Sequence, residues 1–342
     1  DIVAEGRDAT GDGSDAALLR LDRELPDVRQ AFDWLLERGR LGRATTLLLG
    51  TYDHAHVRGR YGELTAQCRR LLAAPDLDRH DGARVSTAAA LLALMGGRVA
   101  DGYEFASRAL ADADGPVARG HALLQHAWAG FYSGRLDSAT IWSDLDESRR
   151  IAQQEGDSGL AATALIRHGA LHVQAASIPD GRRMLAAAGA SNDALPHHEL
   201  LATRVFSAYG TAVFDLSIDE RQRELCELLD ECRTAAHVAF HSMALATAGT
   251  LAALRHDADR ANWLLDEAER LTREHDLATF ENVVQRWRSF FAYRFEHGDA
   301  LEHAERALEL AELTGNAWDA AAARWLIGLL LFRRGDDRAE AH

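Results

Sequence analysis

Sixteen histidines are the first residues that invite a chemical reading. Two pairs, His168 with His172 and His237 with His241, have the i, i+4 spacing that sets both imidazoles on one helix face. A helical metalloenzyme of the H-E-x-x-H kind needs a glutamate beside the first ligand and a third ligand nearby, and neither pair offers them. The pairs therefore read as packed or surface histidines, with no metal and no cofactor. His54 and His56 point to different helix faces and His197-His198 stands at a helix start, so both read as incidental. His-Asp dipeptides at His80-Asp81, His256-Asp257 and His275-Asp276 have the residue types of a helical metal-dependent hydrolase. Each falls near an expected helix end, where aspartate serves as a cap. No G-x-S-x-G elbow is present, and no cysteine and histidine share a recognisable catalytic context. The expectation is a protein that is not an enzyme, with the metal-dependent hydrolase as the least favoured alternative.

Arginine offers recognition rather than catalysis. All 38 cationic residues are Arg, set against 53 acidic ones for a net charge of -15. That charge repels phosphate backbones and leaves no polybasic segment for an anionic bilayer, which argues against direct nucleic-acid binding and against membrane attachment. Without lysine there is no G-x-x-x-x-G-K-[ST] loop, hence no ATP site in this stretch. Cys68, Cys226 and Cys232 form no CxxC and leave one over, which fits a reducing, cytoplasmic setting. The chain opens on Asp1 with no charged-then-apolar leader, so the expectation is a piece of something longer without a signal peptide. The longest uncharged run, Ala235 to Leu254, holds His237, His241, Ser242, Thr247 and Thr250, too polar for a membrane span and suited to an inner helix.

The elements that must position these residues are helices. The segment 1–15 is acidic and glycine-bearing and reads as a flexible linker; the span 16–342 reads as one helical-repeat domain, truncated at its C-terminus in the middle of its last pair. From Leu21 onward apolar residues recur at helical spacing, as in Leu25, Val28, Phe32, Leu35 and Leu36, or Ala261, Leu264, Leu265, Ala268 and Leu271. Pro26, Pro116, Pro179 and Pro196 are expected in first helical turns, with none inside a helix.

Turn residues repeat at Gly59, Gly97, Gly134, Ser177, Ser217, Asp257, Gly298 and Gly335, 37 to 43 residues apart. That period is two antiparallel helices with two short turns, so each repeat is one hairpin. Small residues follow several turns, Ala139, Ala261, Ala304 and Ala339, and are expected to let the second helix approach the first. The pattern resembles the tetratricopeptide repeat, best where Ile327, Gly328 and Leu331 precede Gly335; HEAT-type repeats are the structural alternative. The expected fold is all-α, a right-handed superhelix of about eight hairpins, with an apolar end face that predicts a homodimer through the last repeat.

The stretch from Leu21-Asp22-Arg23-Glu24-Leu25-Pro26 through Phe32-Asp33-Trp34-Leu35-Leu36 to Gly39 carries a more specific likeness. It is similar to the junction, in bacterial signal-transduction ATPases with numerous domains, where the nucleotide-binding part gives way to a helical-repeat region. Arg58-Gly59-Arg60-Tyr61-Gly62-Glu63, leading to Arg70-Leu71-Leu72-Ala73, resembles their first repeat. Such regions occur in antibiotic-regulatory and LuxR-family transcriptional regulators and in cyclase-ATPase fusions. The resemblance implies a sensing arm that binds a protein, a peptide or a small-molecule effector and restrains the ATPase, while a separate domain carries the output. A stand-alone scaffold is the alternative.

In a solenoid the first helices of successive hairpins line the concave face, where aromatic residues beside arginine make a ligand groove. Nine of the 24 aromatic residues fall between Phe280 and Phe332, which selects Arg286, Arg288, Tyr293 and Arg294 as candidate ligand-binding residues. Arg167, His168, His172 and Arg204 form a second candidate patch in the middle of the array. Pairs such as Asp266 with Arg270, Glu269 with Arg273 and Glu302 with Arg306 read as solvated helix faces.

Overall fold

A computed structural model of the chain describes residues 13–175, 177–189, 197–212, 218–296, 298–336 and 338–339. Among them every regular element is helical: α1 (Gly13–Glu37), α2 (Leu41–Gly50), α3 (Tyr52–Val57), α4 (Tyr61–Leu72), α5 (Arg79–Met95), α6 (Val99–Asp112), α7 (Pro116–Ser133), α8 (Ser138–Glu155), α9 (Ser158–Gln174), α10 (Ile178–Gly189), α11 (His197–Ala212), α12 (Ile218–Thr234), α13 (Val238–Leu254), α14 (Ala258–Glu274), α15 (Ala278–Arg294), α16 (Ala300–Thr314) and α17 (Ala317–Arg334). Gly59, Gly97, Gly134, Ser177, Asp257 and Gly298 each fall between the two helices of one hairpin, and Gly335 follows α17. Ser217 and Pro196 lie outside the described residues.

Local chemistry explains where these helices begin and end. Asp78, Asp137, Asp157, Asp257 and Asn316 precede α5, α8, α9, α14 and α17, and their side chains accept backbone N–H groups of the first turn. Asp257 is thus a cap, as its His-Asp context suggested. The left-handed residue of that turn is His256, one of four spaced twenty apart, with Ala236, Asp276 and Glu296. In the turn after α15 the left-handed conformation likewise belongs to Glu296, not to Gly298. Side chains at these sites tolerate a conformation that costs roughly 1–2 kcal/mol outside glycine, so the turn geometry is imposed by the packed hairpins.

Pro26 lies inside α1, not in a first turn. The helix runs through it because Leu21, Leu25 and Phe32 are buried on one side of α1 while Pro26 faces solvent. Three such side chains at roughly 1.5–3 kcal/mol each outweigh roughly 3 kcal/mol for an internal proline. The helix begins at Gly13, within the stretch read as a linker; residues 1–12 lie outside the described residues. Ala261 and Ala304 are fully buried after their turns, as close helix approach requires, but Ala139 is exposed. In that hairpin Leu136 takes the role, packed so closely on α7 that a Cβ on Gly130 would stand 2.5 Å from its Cγ.

The helices α5, α7, α9, α11, α13, α15 and α17 form an inner layer, each touching the next in the series, while α4, α6, α8, α10, α12, α14 and α16 pack outside them. The uncharged run beginning at Ala235 becomes α13, thirteen of whose residues are buried. No helix among the described residues is long and apolar enough to cross a membrane. The inner layer also closes on itself, because α17 touches α7. Phe131 on α7 and Trp318 on α17 have ring centroids 6.1 Å apart, and Thr279 Oγ1 reaches the Leu94 carbonyl oxygen at 3.4 Å. His56, before the first hairpin turn, meets His237 and Phe240 at 5.3 and 5.9 Å between centroids. The ends of early inner helices therefore abut the starts of late ones, and an open groove becomes a ring around a hollow.

Candidate functional site

The hollow is walled by helix ends. From one side come Leu94 and Met95 of α5, Trp128 and Tyr132 of α7, Gln174 of α9, and Phe206 and Tyr209 of α11; from the other come Met243, Thr279, Phe280, Val283, Arg286, Asn316, Trp318 and Asp319. Its enclosed cavity is about 60 Å³, within an opening of about 570 Å³ that includes the mouth. A single flat ring fits such a space better than a polypeptide backbone does.

On the α15–α17 wall the charged and amide groups partner one another. Arg286 Nη2 donates to Asp319 Oδ1 at 2.9 Å and its Nε donates to Asn282 Oδ1 at 3.0 Å, while Asn282 Nδ2 donates to the Ala307 carbonyl. Asn316 caps α17 and its Nδ2 donates to Asp319 Oδ2 at 2.6 Å. The Arg286 guanidinium also lies 5.1 Å from the Trp318 ring centroid. Burial pushes the Asp319 carboxyl up, opposed by Arg286 and the Asn316 amide. Burial works against the Arg286 charge as well, and Tyr209 and Asp319 overcome it and hold the guanidinium protonated.

The α7–α9 wall differs. Arg167 is 6% exposed, yet among the described residues it forms no ion pair, and its buried Nε has no hydrogen-bond acceptor. Its guanidinium carbon sits 4.7 Å from the centroid of Trp128, whose ring faces the hollow. Gln174 Nε2 donates to the Tyr132 hydroxyl, and Gln174 Oε1 is buried without a donor. Burial, then the charge of Asp319, raise the Tyr132 hydroxyl far above its usual range; Gln174 and Arg167 pull the other way, and the group stays neutral at physiological pH. The hollow thus offers aromatic faces and one internally neutralised ion pair, while Arg167 stands behind the Trp128 ring and does not line it.

Of the residues expected to form concave patches, the structure brings only Arg286 to the hollow and Arg167 to the back of its aromatic wall. Arg288 turns outward to Asp266 and Glu269 on α14, fixing its hairpin to the preceding one. Tyr293 lies under Arg333, and Arg294 is exposed and reaches His256; both belong to a separate surface depression toward α17. His168 and His172 stack with Trp142 of α8, at centroid distances of 5.5 and 4.6 Å, on the outer side of α9. Burial, with help from His172, pushes His168 down to about 4. Arg204 is exposed and pairs with Glu231 of α12. The physical reason is helix geometry: residues one or two apart in a helix face different directions, so each patch was divided among inner, lateral and outer faces.

Other histidines acquire structural roles. His54 Nε2 meets Asp22 Oδ1 at 2.7 Å, tying α3 to α1, and His56 stacks with Tyr52, so neither is incidental. His237 is not on a helix face with His241 but caps α13 through the Phe240 N–H. The expected pairs Asp266 with Arg270 and Glu302 with Arg306 give way to Glu267 and Glu274 on Arg270, and to Glu281 and Glu309 on Arg306. No group of three His, Cys, Asp or Glu converges among the described residues. Residues of the hollow that the sequence reading passed over include Trp128, Tyr132, Gln174, Asn316, Trp318 and Asp319. A usable signal was there: Tyr132 and Gln174 stand two and three residues before a hairpin turn, and Trp318 and Asp319 follow the Gly315-Asn316 cap.

Comparison with solved structures places the architecture among tetratricopeptide-like helical repeats. A Rap protein complexed with Competence and Sporulation Factor superposes with a TM-score of 0.62 at 11% identity, covering 87% of this chain and 84% of that chain. A signal-transduction ATPase with numerous domains and a tetratricopeptide-repeat sensor, from Pyrococcus horikoshii, gives a TM-score of 0.47 at 11% identity over 78% of this chain and 43% of that one. No protein-family model and no curated protein matches the sequence. The fold is that of a tetratricopeptide-like helical-repeat superhelix.

Proposed function

We propose that the chain is a non-catalytic sensing and interaction region, which takes an effector on its inner face and belongs to a bacterial multidomain ATPase or transcriptional regulator. The observation that carries this reading is the hollow itself. Its wall draws on all seven inner helices, so an occupant touches nearly every hairpin at once and biases the curvature of the whole array. The structurally similar Rap protein, which binds Competence and Sporulation Factor, supports a binding role for this architecture. The likeness of Leu21 to Gly39 to the junction of signal-transduction ATPases supports the regulatory context. The test is the reading frame on either side of these 342 residues. A P-loop ATPase encoded upstream, or a helix-turn-helix downstream, agrees with the proposal; an initiator methionine directly before Asp1 contradicts it.

A second reading, a scaffold that assembles protein partners or copies of itself, is favoured by one feature. Trp325 and Phe332 on α17 are 68% and 75% exposed, seven residues apart on one helix face. Light scattering at high concentration tests the self-association part: a monomeric mass throughout contradicts it.

A further inference from the structure

We propose that the hollow binds a small neutral phenol, its ring lying among Trp128, Phe206 and Trp318 and its hydroxyl donating to Gln174 Oε1. The inference rests on reading the inner face as ligand-taking and adds the ligand's chemistry. Size sets the first limit. A dry cavity of roughly 150 Å³ takes a benzene ring. Here the enclosed part is about 60 Å³ and the mouth supplies the remainder, so one ring enters and a fused pair of rings or a peptide does not. The lining sets the second. Trp128 and Phe206 meet edge to face at 6.0 Å between centroids, Trp128 and Tyr132 at 5.3 Å, and Trp318 stands on the far side beside Phe131, so an entering ring meets aromatic faces and edges.

Charge and hydrogen bonding narrow the class further. Among the described residues the charged groups of the lining are Arg286 and Asp319, and they neutralise each other at 2.9 Å. An ionised ligand would give up its water there without gaining a counter-charge, at a cost of several kcal/mol, which selects a neutral occupant. Gln174 supplies the polar handle. It lines the hollow, its Nε2 donates to the Tyr132 hydroxyl, and its buried Oε1 has no donor among the described residues. An oxygen left in that state costs about 1–3 kcal/mol. Water satisfies it but leaves the aromatic walls wet, whereas a ring that carries its own O–H covers both.

The experiment is isothermal titration of the full chain at neutral pH with phenol, toluene and benzoate, which hold the ring nearly constant and change the donor and the charge. Gln174→Leu, which removes the acceptor, and Val283→Phe, which fills the hollow, are titrated in parallel. The expected result is saturable binding of phenol but not of benzoate, a loss of phenol affinity on the order of tenfold in Gln174→Leu with toluene affinity kept, and loss of both in Val283→Phe. Circular-dichroism melts check that the variants fold; if Val283→Phe does not, the phenol-against-toluene comparison in Gln174→Leu decides. The inference is overturned if phenol does not saturate up to about 10 mM, if benzoate binds as tightly as phenol, if Gln174→Leu changes phenol and toluene alike, or if a folded Val283→Phe binds phenol as the parent does. Phenol binding through Gln174 in a frame that encodes no ATPase or output domain keeps the site and removes the sensor role. An ATPase in frame with no phenol binding removes only this inference.

Discussion

Two buried arginines, Arg286 in the lining of the hollow and Arg167 behind the Trp128 ring, are treated in opposite ways. Arg286 is surrounded by Asp319, Asn282 and Tyr209, in a network that continues to the α17 cap. Arg167 has an aromatic face and no carboxylate among the described residues. The first arrangement holds α15 to α17; the second, among the described residues, rests on the Trp128 ring. The contrast separates an arginine tied into the network that joins α15 to α17 from one that packs on an aromatic face, although both lie on inner helices.

The sharpest way to break this contrast is to remove a partner on the satisfied wall. Asp319→Ala strands the Arg286 charge, and urea denaturation should show a loss of about 3–5 kcal/mol. A cost under 1 kcal/mol would mean that water reaches Arg286 freely and that the α15–α17 wall is not closed.

Acid acts on the helix that carries Arg167. His168 takes up its proton near pH 6.5 in the unfolded chain but near 4 in the fold, so between those values the unfolded state binds more protons. Stability should therefore fall as pH drops from 6.5 toward 4, by on the order of 3 kcal/mol from this residue, and level off below. In His168→Gln that part of the slope should vanish; an unchanged slope assigns the acid sensitivity elsewhere.

Closure of the ring is tested more gently at Gly97, whose φ of +74° and proximity to Thr314 leave no room for a side chain: an added Cβ would lie 2.9 Å from Thr314 Cγ2. Gly97→Ala should cost about 1–2 kcal/mol by thermal melting. The smallest effect is expected at the other arginine. Arg167→Met removes a charge that has no ion-pair partner and a cation–π contact worth about 0.5–1 kcal/mol, so stability should change by less than about 1 kcal/mol in either direction. A loss as large as that of Asp319→Ala would erase the difference between the walls.

Much of the fold was legible because its signals are local. Turn residues at a period near 39 located the hairpin turns, and helical spacing marked helices such as α14 by Leu264, Leu265 and Ala268. Pro26 was misread because its cost is local while the burial of Leu21, Leu25 and Phe32 that outweighs it is tertiary. The site was far less legible. Arg286 and Arg167 were singled out, but Arg288, Tyr293, Arg294, His168 and His172 were grouped with them by nearness in sequence, which a helix scatters around its axis, and Arg204, on the next inner helix, points outward to Glu231. What brings Trp128, Gln174 and Trp318 together is the closure of α7 against α17, a contact between residues more than 180 apart that no repeat pattern announces.

That closure is the claim on which the hollow depends, and a cross-link measures it most directly. A Cβ on Gly59 would stand 4.0 Å from the Cβ of Val238, within the range a disulfide spans. In the double variant Gly59→Cys with Val238→Cys, mild oxidation should give one intramolecular disulfide that joins the first hairpin to α13, seen as faster migration on a non-reducing gel and as a cross-linked peptide by mass spectrometry. Two free thiols at these positions after oxidation, in a chain whose circular dichroism matches the parent, would show the inner helices standing open and contradict the ring.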